Sequence, residues 1–247
     1  MTPGALLTLI LACFALGAVL MALAGRRVDA ATRRARWLKF GVYFLIVHTV
    51  LGCAVMGTAW LFALGLLILA AGARELRDAL AAIGARRSAN RALIVAVYAL
   101  LGGGFLFTLA RLAPAQTVFL YIVIAAFDGF SQVCGQLLGR HQLVPRLSPG
   151  KTVEGLAGGA LGALAIAWTI RGFSGLDGVA LAAGAALIVA GALAGDLAAS
   201  WVKRRAGIKD FSALLPGQGG MLDRFDSFIG AAGLLAPLVW FGSQAPG

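Results

Sequence analysis

The run FGVYFLIVHTVLGCAVMGTAWLFALGLLILAAGA, residues 40–73, decides how this chain is organised. It contains no Asp, Glu, Lys or Arg, and only Gly57-Thr58 interrupts it, weakly. As a single helix it would be about 50 Å long, well beyond the ~30 Å hydrocarbon core of a bilayer. Two short spans, or a re-entrant pair, resolve the mismatch. Either solution returns the chain to the side it left, so the basic flanks at Arg33, Arg34, Arg36 and Lys39 and at Arg74 and Arg77 stay together.

On either side of this run, further apolar stretches place spans near 4–24, 40–56, 57–73, 92–110, 115–138, 153–170, 178–199 and 227–243. The chain is 60% hydrophobic and 13% charged, and no polar stretch is long enough for a separate soluble domain. The expected fold is all-α: a polytopic integral membrane protein of about eight transmembrane helices, with seven to nine as the range. It reads as one transmembrane domain over 1–247. Residues 1–114 supply N-terminal helices, 115–227 the chemistry-bearing part, and 228–247 a last helix and tail.

The net charge of +11 invites a nucleic-acid partner. Its placement excludes one: 19 of the 21 Lys and Arg fall in four segments, 25–39, 74–91, 139–152 and 200–226, leaving only Arg111 and Arg171 elsewhere. This is the positive-inside pattern, and it suits a surface facing anionic lipid. Eight spans put both termini outside and all four basic segments inside, which implies a bacterial inner membrane with the site facing the cytoplasm. Residues 1–9 hold no cation and the first basic cluster follows the first apolar run, so Ala22-Leu23-Ala24 reads as part of an uncleaved span. Cys13, Cys53 and Cys134 sit scattered in apolar runs, without metal-ligand spacing or a disulfide framework.

Small residues recur every fourth position at Gly155, Gly159, Ala163 and Ala167, the spacing that lets helices pack closely in lipid. Gly102-Gly103-Gly104 marks either a kink or a close contact. His48 reads as a packing residue. His141, beside Arg140, reads as a loop residue, with phosphate contact as the alternative.

Three polar stretches stand out against this background. In 128–145, Asp128 lies inside an apolar run, where a carboxylate is costly and usually faces a polar cavity. Gln132 and Gly135 follow at i+4 and i+7, on the same helix face. In 147–155, Leu-Ser-Pro-Gly-Lys-Thr-Val-Glu-Gly precedes a span. Thr152 is placed to cap that helix, and Lys151 adds a point charge near amide groups that favour phosphate. Gly150-Lys151-Thr152 is not a P-loop, because the leading Gly is missing and no strand is expected before it. In 196–226, Asp196 ends a span with Ser200 and Lys203 on the same face, and Asp223 and Asp226 are one helical turn apart. Three carboxylates from two segments suit Mg²⁺. The alternative is that they neutralise Lys203, Arg204 and Arg224.

The last stretch reads Ser200-x-x-Lys203-Arg204, four residues, Lys209-Asp210, then Pro216-Gly-Gln-Gly-Gly220, then Leu222-Asp-Arg-Phe-Asp226. It closely resembles the signature of the phosphatidate cytidylyltransferases (CDP-diacylglycerol synthases). The stretches 128–145 and 147–155 extend the resemblance, which nearly vanishes before residue 115. Departures are Gln218 where the family usually has His, Ala199 where it usually has Glu, and Gln132 where Tyr is frequent.

The resemblance implies transfer of a cytidylyl group from CTP to phosphatidic acid, releasing pyrophosphate. It assigns catalysis to Asp196, Asp223, Asp226 and Lys203. Those three aspartates would hold Mg²⁺, with Mn²⁺ as the substitute ion. Substrate binding falls to Asp128, Gln132, Ser148, Lys151, Thr152, Ser200, Arg204, Lys209, Gly217, Gln218, Gly219, Gly220 and Arg224. The implied partners are CTP, phosphatidic acid or another lipid phosphate, and membrane lipids, with no nucleic acid; a homodimer is left open. Rival readings are a CTP-dependent lipid kinase of the polyprenol type, a cytidylyltransferase for another lipid phosphate, and a non-catalytic lipid-binding or transport protein. Retention of the acids and Lys203 speaks against the last.

Overall fold

A computed structural model describes residues 2–24, 29–83 and 88–244. Arg26, Arg27, Arg86 and Arg87, part of the first two basic segments, lie outside the described residues. The described residues form eight α-helices: α1 Pro3–Ala24, α2 Ala30–Met56, α3 Thr58–Ala82, α4 Ser88–Arg111, α5 Pro114–Leu138, α6 Val153–Thr169, α7 Gly178–Ala206 and α8 Met221–Gln244. Each expected span corresponds to one helix. Helices α2, α3, α4, α5, α7 and α8 are long and apolar enough to cross a membrane, while α1 and α6 contribute shorter apolar stretches, Gly4–Val19 and Val153–Thr169. The protein is an all-α polytopic membrane protein.

The ambiguous run 40–73 resolves at Gly57. Its φ of +109° closes α2, with its N–H donating to the carbonyls of Cys53 (3.0 Å) and Ala54 (3.2 Å), and α3 begins at the next residue. A side chain there would be strained, so glycine is what permits so abrupt a reversal. Neither helix is short. Asp29 caps α2 by accepting from the Thr32 amide (2.9 Å) and hydroxyl (2.6 Å), so Arg33, Arg34, Arg36 and Lys39 lie within the helix. Likewise α3 continues through Arg74, Glu75, Arg77 and Asp78. No Gly or Pro interrupts either extension, and Lys, Arg and Glu are good helix formers.

Segment 139–152 folds as a small antiparallel hairpin, β1 Gln142–Val144 against β2 Ser148–Thr152, where a plain helix start was expected. Gln142 faces Thr152 and Val144 faces Ser148. Thr152 does cap α6, accepting from the Gly155 amide at 3.0 Å. Gly207, at φ +70°, closes α7. Its N–H and that of Ile208 reach back to the carbonyls of Arg204 and Lys203, a Schellman ending that turns the chain toward α8.

Small residues hold the bundle together. Gly155, Gly159, Ala163 and Ala167 are all buried, facing α5 as their spacing predicts. Gly104 is a close contact and not a kink: a Cβ there would stand 2.7 Å from the Gly233 carbonyl of α8, within an unbroken α4. Next to it the Thr108 hydroxyl donates to the Ala232 carbonyl at 2.8 Å. Helices α7 and α8 meet backbone to backbone at Gly191, Gly195 and Gly230. A Cβ on Gly230 would lie 2.5 Å from the Gly195 Cα, and one on Gly195 would strike the Asp226 carbonyl. Such contacts are the main source of helix association in lipid, where apolar surface gains little by leaving the solvent.

Candidate active site

That α7–α8 seam leads directly into a polar cavity of about 320 Å³ between α5, α6, α7, α8 and the hairpin. Nine of the expected site residues line it: Asp128 and Gln132 on α5, Lys151 and Thr152 on the hairpin, Asp196 and Lys203 on α7, and Asp223, Arg224 and Asp226 on α8. Residues from three separate stretches of the sequence thus line one cavity. Formally, three cations (Lys151, Lys203, Arg224) face four carboxylates (Asp128, Asp196, Asp223, Asp226) across it.

Each charge has a definite support. Lys151 forms an ion pair with Asp196, which also accepts from the Ser200 hydroxyl at 3.3 Å. Lys203 is held by Asp223 at 2.7 Å and lies over the Phe211 ring at 5.5 Å. The other oxygen of Asp223 accepts two backbone amides, Phe211 (2.7 Å) and Gly220 (2.9 Å). Arg224 donates to the Gln218 side-chain carbonyl at 2.9 Å and stacks over Tyr43 at 5.3 Å. Among the described residues the Asp226 carboxylate accepts only the neighbouring Ser227 amide, at 2.7 Å, and the charges of Asp196, Lys203 and Asp128 all act on it.

The remaining expected residues do not line the cavity. Ser200 is buried behind Asp196. Ser148 opens β2. Arg204 donates to the Leu147 carbonyl at 3.1 Å and so ties the hairpin to the end of α7. Lys209 is exposed. The Gly-rich turn approaches protein groups closely. A Cβ would meet the Lys39 side chain at Gly217 (2.7 Å), Asp223 at Gly219 (2.9 Å) and the Glu75 carboxylate at Gly220 (2.5 Å). Gln218 donates its amide to the Lys39 carbonyl at 2.9 Å while accepting from Arg224, so it links α2 to the first turn of α8. His141 pairs with Glu154 at 2.6 Å, and His48 sits among Phe14 and Phe44.

Three supporting residues escaped the sequence reading. Ser131, one turn beyond Asp128, lines the cavity with a buried hydroxyl that has no hydrogen-bond partner among the described residues. Its i+3 spacing from Asp128 was the available signal. Ser227 lines the cavity with Asp128 and follows Asp226 directly, its amide donating to that carboxylate. Tyr43 gave no signal, since its contact with Arg224 is long-range.

Among the described residues no three His, Cys, Asp or Glu side chains form a ready metal-ligating group. The donor set still suits a hard cation. Mg²⁺ commonly binds through one or two carboxylates and completes its shell with water and substrate phosphates. Asp226 offers a lightly bonded carboxylate to the cavity, and Asp196 already has a cation, the Lys151 ammonium, against it.

Comparisons with known proteins identify the family. The chain is 44% identical over 121 residues to a phosphatidate cytidylyltransferase of Brucella abortus biovar 1 (strain 9-941), covering 48% of this chain and 44% of the relative. It is 42% identical over 132 residues to one of Pseudomonas aeruginosa, covering 52% and 49%. A third, from Haemophilus influenzae, is 35% identical over 132 residues, covering 50% and 45%. The chain thus spans about half the length of the curated relatives it matches. A family model described as "Cytidylyltransferase family" matches residues 3–241, nearly the whole length, and the chain belongs to that family.

Proposed function

We propose that the protein transfers a cytidylyl group from CTP to phosphatidic acid, yielding CDP-diacylglycerol and pyrophosphate. The observation that carries the reading is the polar cavity that Lys151, Lys203 and Arg224 line together with Asp128, Asp196 and Asp226 inside an apolar bundle. An apolar cavity of about 350 Å³ between α3, α4, α7 and α8 supports it, because Asp226 lines both spaces. A lipid phosphate at Asp226 would leave its acyl chains among Leu93, Val97 and Trp201.

In the reaction, an oxygen of the lipid phosphate attacks the α-phosphorus of CTP in line, and the bond to pyrophosphate breaks. The attacking oxygen is already anionic near neutrality, so no general base is required. Catalysis then rests on positioning and on charge stabilisation. Lys203 is oriented by Asp223 and Phe211 toward a phosphate. Arg224 is oriented by Gln218 and Tyr43. Lys151 exchanges Asp196 for a phosphate oxygen when the nucleotide enters. Asp196 and Asp226, with Asp128 beside them, would hold a divalent cation. When bound, Mg²⁺ would offset the triphosphate charge that three side-chain cations alone cannot balance. Asp223, already accepting three hydrogen bonds, acts as the lock on Lys203.

The clustering of the basic segments supports a cavity that faces the cytoplasm from a bacterial inner membrane. Single cysteines in 141–147 and 206–214 should therefore label from the cytoplasm; periplasmic labelling would refute the orientation. The deciding assay supplies purified protein with labelled CTP and a panel of lipid phosphates. Pyrophosphate with phosphatidic acid supports the proposal. Release of CDP would identify a lipid kinase, and preference for another lipid phosphate would move the substrate.

A further inference from the structure

Three acids lie before residue 115, and only Glu75 among them is buried, at 5% exposure. It sits near the end of α3, on the buried face that runs through Gly65, Ile68, Gly72 and Leu76. Among the described residues no cation pairs with it: Arg77, two positions on, pairs with Asp78. Its partners come from the far end of the chain. One carboxylate oxygen accepts the Ser212 hydroxyl (2.6 Å) and the Met221 amide (2.8 Å), and the other accepts the Leu222 amide (2.8 Å).

Met221 and Leu222 are the first two residues of α8, whose amides have no carbonyl partner within the helix. A helix start is usually capped by its own preceding side chain. Here that residue is Gly220, which has none, and a Cβ there would stand 2.5 Å from the Glu75 carboxylate. The cap is therefore supplied in trans, by α3. It also places a negative charge at the positive end of the helix dipole. Asp223 takes the Gly220 amide, so the two carboxylates divide the orphan donors between them.

The same two carboxylates fasten the connecting segment 207–220, Asp223 through the Phe211 amide and Glu75 through Ser212. The Ser212 hydroxyl in turn accepts the Leu214 amide at 3.2 Å. We infer that Glu75 is a positioning residue for the site. It fixes the depth and rotation of the first turns of α8, and hence Arg224 and Asp226, and it holds the 207–220 segment against α3. It acts on the reaction through these groups without facing the polar cavity. The kinetic part of this inference rests on the proposed cytidylyl transfer; the structural part does not.

The test uses the full chain in detergent as wild type, Glu75→Gln, Ser212→Ala and the double variant. Glutamine keeps the volume but offers one acceptor oxygen for three donors. Hydrogen exchange of the peptide covering 211–222 should quicken at least tenfold in Glu75→Gln, with little change in the global unfolding temperature. Turnover should fall at least tenfold while KM for the lipid phosphate stays within twofold. Ser212→Ala should shift exchange about threefold, and the double variant should be no worse than Glu75→Gln alone, since both act through one contact. Wild-type exchange and turnover in Glu75→Gln would overturn the inference, as would a turnover loss that merely tracks the unfolded fraction. Should Glu75→Gln fail to fold, Ser212→Ala decides: wild-type exchange in that variant overturns the inference. A wild type that makes no pyrophosphate refutes the proposed reaction, while the exchange measurement still judges Glu75.

Discussion

Replacing Asp223 by Asn isolates the question of what this carboxylate does. One oxygen accepts Lys203 and the other accepts two backbone amides. An amide has a single acceptor oxygen. If it keeps the backbone amides, its NH₂ faces the Lys203 ammonium; if it keeps Lys203, the NH₂ faces two N–H donors. Lys203 and Asp223 have side-chain exposures of 13% and 5%, so water cannot repair either arrangement. Breaking a buried pair from one side costs roughly 3–5 kcal/mol. At about 1.36 kcal/mol per tenfold, that is a fall in kcat/KM of roughly a hundred- to several-thousand-fold if it all falls on the active arrangement. The assay is pyrophosphate release across a Mg²⁺ titration, with thermal unfolding of the same samples. Asp223→Asn should be slower and less stable, with the Mg²⁺ midpoint unchanged. Adding Lys203→Met should restore much of the stability and none of the activity. A variant of normal stability whose only defect is a raised Mg²⁺ requirement would refute the reasoning and make Asp223 a cation ligand.

Chelation should abolish turnover and Mg²⁺ or Mn²⁺ should restore it, while Asp226→Asn should lower turnover at least a hundredfold and leave a folded protein; full activity in chelator would remove the cation from the scheme. Gln218→His should be active near pH 8, because neutral imidazole can donate to the Lys39 carbonyl and accept from Arg224 as the amide does. Its activity should fall as pH drops through about 6.5, where the ring becomes a double donor facing Arg224; a flat pH profile would contradict the link. Gln218→Ala should cost about 1–3 kcal/mol, less than Asp223→Asn, as read from kcat/KM. Gly230→Leu should prevent stable folding in detergent, since even a Cβ there lies 2.5 Å from the Gly195 Cα; normal unfolding behaviour would show that the seam can open.

Much of this arrangement was legible in the sequence. The Gly57 break and the buried stripe at 155, 159, 163 and 167 follow from apolar length and four-residue spacing, and the convergence of Asp128, Lys151, Asp196 and Asp226 is what the family resemblance implies. The full extents of α2 and α3 did not, because hydropathy detects the part of a helix in lipid and is silent about a charged continuation. The hairpin was hidden because its strands are short and lack alternation. Glu75 stands next to Arg74 in the sequence, which suggests no more than a local pair. Its role depends on amides nearly 150 positions away, and no local pattern encodes that. Gln218 could be read as a substrate contact only because the nearness of the Lys39 carbonyl is a tertiary fact.

The α7–α8 seam has a mechanical consequence. Asp196 and Asp226 are carried on helices whose main chains touch at Gly195 and Gly230, so the separation of their backbones is set by peptide geometry, without intervening side chains that can change rotamer. That pair of helices is a fixed jaw. The opposing wall belongs to the hairpin, which reaches the jaw through an ion pair from Lys151 and through the Arg204 side chain on the Leu147 carbonyl. Bonds of that kind break and reform at small cost, whereas a glycine seam does not slide. Any widening needed to admit a nucleotide therefore falls to the hairpin, and the backbones that carry the carboxylates keep their spacing while the cation opposite them moves.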